Sequence, residues 1–123
     1  MKQFILYLAF LFIGLGTISA GSIEIGKPPT QKAYQGYIKA YFSAILKDPN
    51  SAKISYLKTT PVKAWYQQGV FGDKIYGYLV VAHVNAKNSY GGYAGDQRYG
   101  FLFKDGVLIK AVEPNFLNYL HLQ

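Results

Sequence analysis

Lys74-Ile75-Tyr76-Gly77-Tyr78-Leu79-Val80-Val81-Ala82-His83-Val84-Asn85 decides the fold of this chain, because its side chains divide between two faces at a period of two. Tyr76, Tyr78, Val80, Ala82 and Val84 point one way; Ile75, Gly77, Leu79, Val81 and His83 point the other. Both faces are apolar through the middle, so the segment reads as a central strand covered on both sides. Gly72-Asp73 ahead of it reads as a turn.

Further toward the C terminus, Ser89 to Asp96 form a glycine-rich loop, and Gln97 to Lys104 resume the alternation. Tyr99, Phe101 and Phe103 oppose Arg98, Leu102 and Lys104 there. Asp105-Gly106 is a strong two-residue hairpin signal, which makes Val107 to Val112 the return strand. Pro114 then opens a short helix with Phe116, Leu117, Tyr119 and Leu120 as its packing residues.

Toward the N terminus the pattern weakens and then changes period. Ala64 to Phe71 mixes strand formers with Gln67, Gln68 and Gly69, and Thr59 to Lys63 reads as a break or an edge around Pro61. Lys53 to Lys58 fits a strand. Before it, Tyr34, Tyr37, Ile38, Tyr41, Phe42, Ile45 and Leu46 recur every three or four residues, which predicts an amphipathic helix. Thr30 suits its N-cap, and Asp48-Pro49 stops it, because the residue before proline is pushed out of helical geometry. The order predicts an α+β fold. One N-terminal amphipathic helix packs on a three- to four-stranded antiparallel meander, with a short C-terminal helix.

Residues 1–20, MKQFILYLAFLFIGLGTISA, read as a cleaved export signal: Lys2, an apolar run from Phe4 to Leu15, then small residues up to Ala20. The run is short of the ~20 apolar residues that a transmembrane helix needs. Residues 21–29 then read as a flexible lead closed by Pro28-Pro29, and 30–123 as a single domain. Export with no lipidation cysteine implies a periplasmic or secreted product without a membrane span in its mature chain. The chain has no cysteine, so packing must stabilise the domain without disulfides.

Thirteen Lys or Arg against six Asp or Glu give a net charge of +7, which suits anionic partners. Nucleic acid is not expected, since exported proteins seldom meet it. The charges are scattered, as on an ordinary solvated surface. Twelve tyrosines are the other outlier, and each offers an apolar ring with a polar tip to a core margin or a binding surface.

The stretch from Asn85 to Asp96 is the one that reads as built for more than packing. Its glycines permit close approach. Asn85 and Asn88 supply oriented hydrogen bonds, Lys87 and nearby Arg98 supply charge, and Tyr90 and Tyr93 supply rings. A plain hairpin connection is the alternative, its asparagines bonding their own backbone. No Gly-Lys-Ser/Thr ending marks it as a nucleotide-phosphate loop. No residue set predicts a metal or other cofactor. Ser89, His83 and Asp96 lack a nucleophile-elbow signature, and nothing places Asp73 and Asp96 face to face as glycoside hydrolysis requires. No catalytic residue is assigned.

Three pieces, LKDPNSAK (46–53), VNAKNSYGGYAG (84–95) and FLFKDG (101–106), resemble a family of small exported or lipid-anchored bacterial proteins of unknown function. The resemblance implies a bacterial envelope setting and brings no activity with it. The expectation is a non-catalytic envelope binding domain that contacts a saccharide, a peptide-like component or an acidic protein through the loop 85–96. A small periplasmic hydrolase using His83 and a secreted inhibitor or immunity-type protein are the alternatives.

Overall fold

The computed structural model describes residues 24–57 and 61–123. The expected export signal lies outside the described residues. Helix α1 spans Gln31–Ile45, and Thr30 caps it by accepting from the Ala33 N–H at 3.2 Å. A 3-10 turn (Pro49–Ser51) leads into strand β1 (Lys53–Tyr56), followed by β2 (Val62–Tyr66), β3 (Ile75–Asn85), β4 (Gln97–Lys104) and β5 (Val107–Val112). A 3-10 helix (Pro114–Tyr119) and a last strand, β6 (Leu120–Leu122), complete the chain.

The fold is α+β as expected, but among the described residues the sheet has six strands rather than three or four. All described pairings are antiparallel, in the order β5-β4-β3-β2-β6. β1 pairs with β3 separately. The extra strands have a simple geometric origin. β3 is 11 residues long, so one flank accommodates β2 beside Ile75–Leu79 and β1 beside Ala82–Asn85. β6 is a three-residue strand that exists only because the chain returns to β2 at Ala64–Tyr66. The expected C-terminal helix is present as the 3-10 helix.

As predicted, β3 is buried on both sides. On one face Val80, Ala82 and Val84 join Phe101 and Phe103 of β4 beneath Tyr34, Ile38 and Phe42 of α1. On the other, Leu79, Leu102, Ala64, Tyr66 and Val112 meet Phe116, Leu117, Tyr119 and Leu120. The aromatic excess is spent largely here: Phe42, Phe101, Tyr41 and Tyr99 make edge-on contacts with centroids 5.0–5.9 Å apart. The Asp105-Gly106 turn forms with both residues at positive φ, 52° and 80°, as the twist of a two-residue hairpin demands. The segment expected as a flexible lead is docked where it is described. Ile25 is buried, and its carbonyl accepts from the Asp105 N–H at 2.8 Å.

Burial raises the pKa of four tyrosines in these layers. Desolvation is the largest cause at each, reinforced at Tyr41 by Tyr99 and Glu113, at Tyr56 by Tyr34, at Tyr66 by Tyr119 and at Tyr99 by Glu113. A raised tyrosine pKa means that the folded state holds its proton longer than the unfolded chain. The associated stability is therefore intact below pH about 10 and falls as pH rises through the folded values. A titration followed by phenolate absorbance is expected to show a late class of tyrosines that merges with the rest in urea. Coincident folded and unfolded curves would contradict this packing.

Candidate functional site

The loop 85–96 is ordered by its own backbone and by two asparagines. The N–H of Ala94 donates to the Ala86 carbonyl at 3.1 Å, Lys87 and Tyr93 form an antiparallel bridge, and the Asn88 N–H donates to the Gly92 carbonyl at 2.8 Å. Asn88 Oδ1 accepts from the N–H groups of Tyr90 (2.9 Å) and Gly92 (3.3 Å). Asn85 Oδ1 accepts from the Gly95 N–H at 3.0 Å. The two asparagine oxygens thus shape the loop.

Ser51 ties this ribbon to the body of the domain. The Lys87 N–H donates to Ser51 Oγ at 2.8 Å, Ser51 Oγ donates to the Asp48 carbonyl at 2.8 Å, and the Tyr93 hydroxyl donates to the Ser51 carbonyl at 3.2 Å. The local cause is the pairing of Lys53 with Asn85, which sets the Pro49–Ser51 turn against the loop base. The pairing also delivers Lys53 to the site. Its Nζ lies 4.4 Å from the Tyr93 ring centroid, and Lys87 Nζ lies 5.8 Å from the same centroid. Both are within cation–π range. Behind the turn, Asn50 and Ala52 join Lys39, Phe42, Ser43 and Ile54 around a cleft of about 270 Å³.

The structure therefore gathers Asn85, Lys87, Asn88 and Tyr93, and it places Tyr90 at the tip, 95% exposed. Arg98 sits further along the sheet, opposite His83, and its Nε donates to His83 Nε2 at 3.3 Å. Lys53 and Ser51 belong to the site too; they lie in the LKDPNSAK piece of the resemblance, which gave them no role. Only the β1–β3 register brings them there.

The arrangement offers rings, ammonium groups and amides to a partner. A preformed ribbon presents a free phenol ring, a second ring held under two ammonium groups, and two amides. His83 as a general base would first have to shed Arg98 from its Nε2 lone pair. Among the described residues no three His, Asp or Glu side chains come together where they would hold a metal ion. No helix among them is long and apolar enough to cross a membrane. No protein-family model, curated protein or solved structure matches the chain, so function has to be read from the site itself.

Proposed function

We propose that this protein is an exported, non-catalytic envelope binding domain whose contact surface is the loop 85–96 together with Lys53. The observation that carries this reading is the Tyr93 ring beneath Lys53 and Lys87, with Tyr90 exposed beyond it. Two like charges around one ring gain most from an anionic complement. The favoured partners are accordingly an acidic protein surface or an acidic saccharide or peptide-like envelope component, for which stacked phenols add area. The order already present in the loop lowers the entropy lost on association. The export signal and the resemblance to small exported proteins support the envelope setting.

A photoreactive residue at position 90 in living cells is expected to capture one dominant protein or polymer. Replacing Lys87 and Tyr93 by alanine in that position-90 probe should weaken the interaction by at least about 2 kcal/mol, the scale of aromatic hot spots. Tyr93→Phe, which keeps the ring and loses only the bond to Ser51, should retain most of it. Unchanged capture after Lys87 and Tyr93 are replaced would sink the reading. The alternative hydrolase predicts something different: His83→Ala would abolish a catalytic activity while partner capture stayed intact.

A further inference from the structure

The connection from β2 to β3 holds two large apolar side chains out in water. Val70 is 85% exposed and Phe71 99%. The cause is a built turn and not a loose one. The Gln67 N–H donates to the Tyr119 carbonyl at 3.1 Å, and Gln67 Nε2 donates across the turn to the Gly72 carbonyl at 2.7 Å and the Val70 carbonyl at 3.4 Å. The Gly72 N–H donates to the Gly69 carbonyl at 3.3 Å, with Gly69 at φ +83°. A turn braced in this way keeps Val70 and Phe71 from folding back onto the sheet.

Behind the tip the side chains turn aromatic and cationic. Trp65 and Tyr76 are cross-strand partners, with ring centroids 6.4 Å apart, and His121 of β6 stacks on Trp65 at 4.2 Å. Lys74 Nζ lies 4.6 Å from the Trp65 ring centroid, and exposed Lys63 shares the Trp65 side of β2. Asp73 is the acidic group within the turn itself, set against these two lysines and an overall charge of +7. Lys74 stems from two residues nearer the tip than Tyr76, with its Nζ over Trp65, and Lys63, opposite Tyr78, lies beyond the aromatic pair. Apolar tips backed by tryptophan, tyrosine and lysine are the set that a lipid interface accepts, in its acyl region and then among its headgroups and phosphates.

We propose that the β2–β3 tip docks on an anionic phospholipid bilayer surface, with Val70 and Phe71 entering the acyl boundary, Trp65 and Tyr76 at headgroup depth, and Lys63 and Lys74 against the phosphates. The tip and the loop 85–96 lie at opposite ends of β3, about 33 Å apart at the rise of an extended strand. A domain seated on lipid by the tip presents the loop away from the membrane. The lipid contact stands whether or not the loop binds a partner.

Trp65 is the only tryptophan of the chain, so its fluorescence reports on this end alone. The full chain is mixed with vesicles of phosphatidylcholine, with and without phosphatidylglycerol. With the anionic lipid, Trp65 emission should move to shorter wavelength and be quenched by brominated acyl chains. Val70→Ser with Phe71→Ser should weaken partitioning about tenfold or more, with an unchanged circular dichroism spectrum. Lys63→Gln and Lys74→Gln should each weaken it about fivefold. Insertion through the apolar segment 4–15 alone would leave the tip variant binding as wild type and Trp65 unquenched, which overturns the proposal. Equal binding to neutral vesicles overturns the anionic assignment. Self-association lost in the tip variant, without vesicle binding, overturns it in favour of a second copy of the chain.

Discussion

Phe101→Ala is expected to destabilise the domain by about 3–5 kcal/mol, while the same substitution at Phe71 changes stability by less than about 0.5 kcal/mol. The side chains are identical and their surroundings are opposite. Phe101 is fully buried in the middle of β4, edge-on to Tyr41 at 5.4 Å and to Phe42 at 5.7 Å, and stacked with Tyr99 at 6.2 Å. Truncating it removes buried apolar area and leaves a void that helix and sheet cannot both close. A domain of this size has about 5–15 kcal/mol in total, so Phe101→Ala takes up a large share of it. Phe71 stands almost wholly in water and has no void to leave. Urea midpoints followed by circular dichroism measure both variants. Comparable losses at the two positions would mean that the β2–β3 tip packs against something in the folded state. A negligible loss at Phe71 would leave its presence without a folding reason, which is what a lipid-seeking tip requires.

The helix and the β3–β4–β5 hairpins were legible from sequence because each is specified locally. The periodicity of α1, the Thr30 cap and the Asp105-Gly106 turn act within a few residues of the structure they produce. The apolar middle of β3 announced a strand covered on both faces, and the faces are α1 on one side and the C-terminal 3-10 helix on the other. What escaped was whatever depends on distant register. β6 is Leu-His-Leu, too short to carry a period, and its identity as a strand rests on β2, a partner distant in sequence. Val62–Tyr66 looked interrupted because Pro61 precedes it and glutamines follow it, yet β3 imposes the extended form.

The loop shows the same division. Its glycines and asparagines marked it as special, but an asparagine that orders its own loop and one that reaches for a ligand have the same letter. Asn88 Oδ1 and Asn85 Oδ1 turn out to brace the backbone. Lys53 and Ser51 fall in the LKDPNSAK piece, but nothing in it ties them to the loop, since they reach Tyr93 and Lys87 through the pairing of β1 with β3.

Gly77→Ala should cost about 3 kcal/mol or more, whereas Gly100→Ala should cost about 1 kcal/mol. Both glycines are buried in the sheet, and in both a new methyl carbon would arrive 2.7 Å from a neighbour. The neighbours differ. At Gly77 the atom met is the backbone carbonyl oxygen of Phe103, with the Phe103 nitrogen at 3.2 Å, so relief requires β3 and β4 to part where Tyr78 pairs with Phe103. That separation would open the layer beneath α1 and carry the Asp105-Gly106 turn with it. At Gly100 the atoms met are methyl ends of Leu120 (2.7 Å), Leu79 (3.3 Å) and Leu117 (3.4 Å), which rotate aside at the cost of looser packing. Part of that cost is offset because alanine loses less backbone entropy than glycine in a strand. Enlarging position 100 further, as in Gly100→Leu, removes the option of rotation and should lift the C-terminal 3-10 helix, loosening β6 from β2. Hydrogen exchange separates the two mechanisms: Gly77→Ala should expose amides of β3 and β4 together, and Gly100→Leu those of β6 first. A Gly77→Ala variant as stable as wild type would mean that the two central strands do not approach this closely, and the packing under α1 would have to be redrawn.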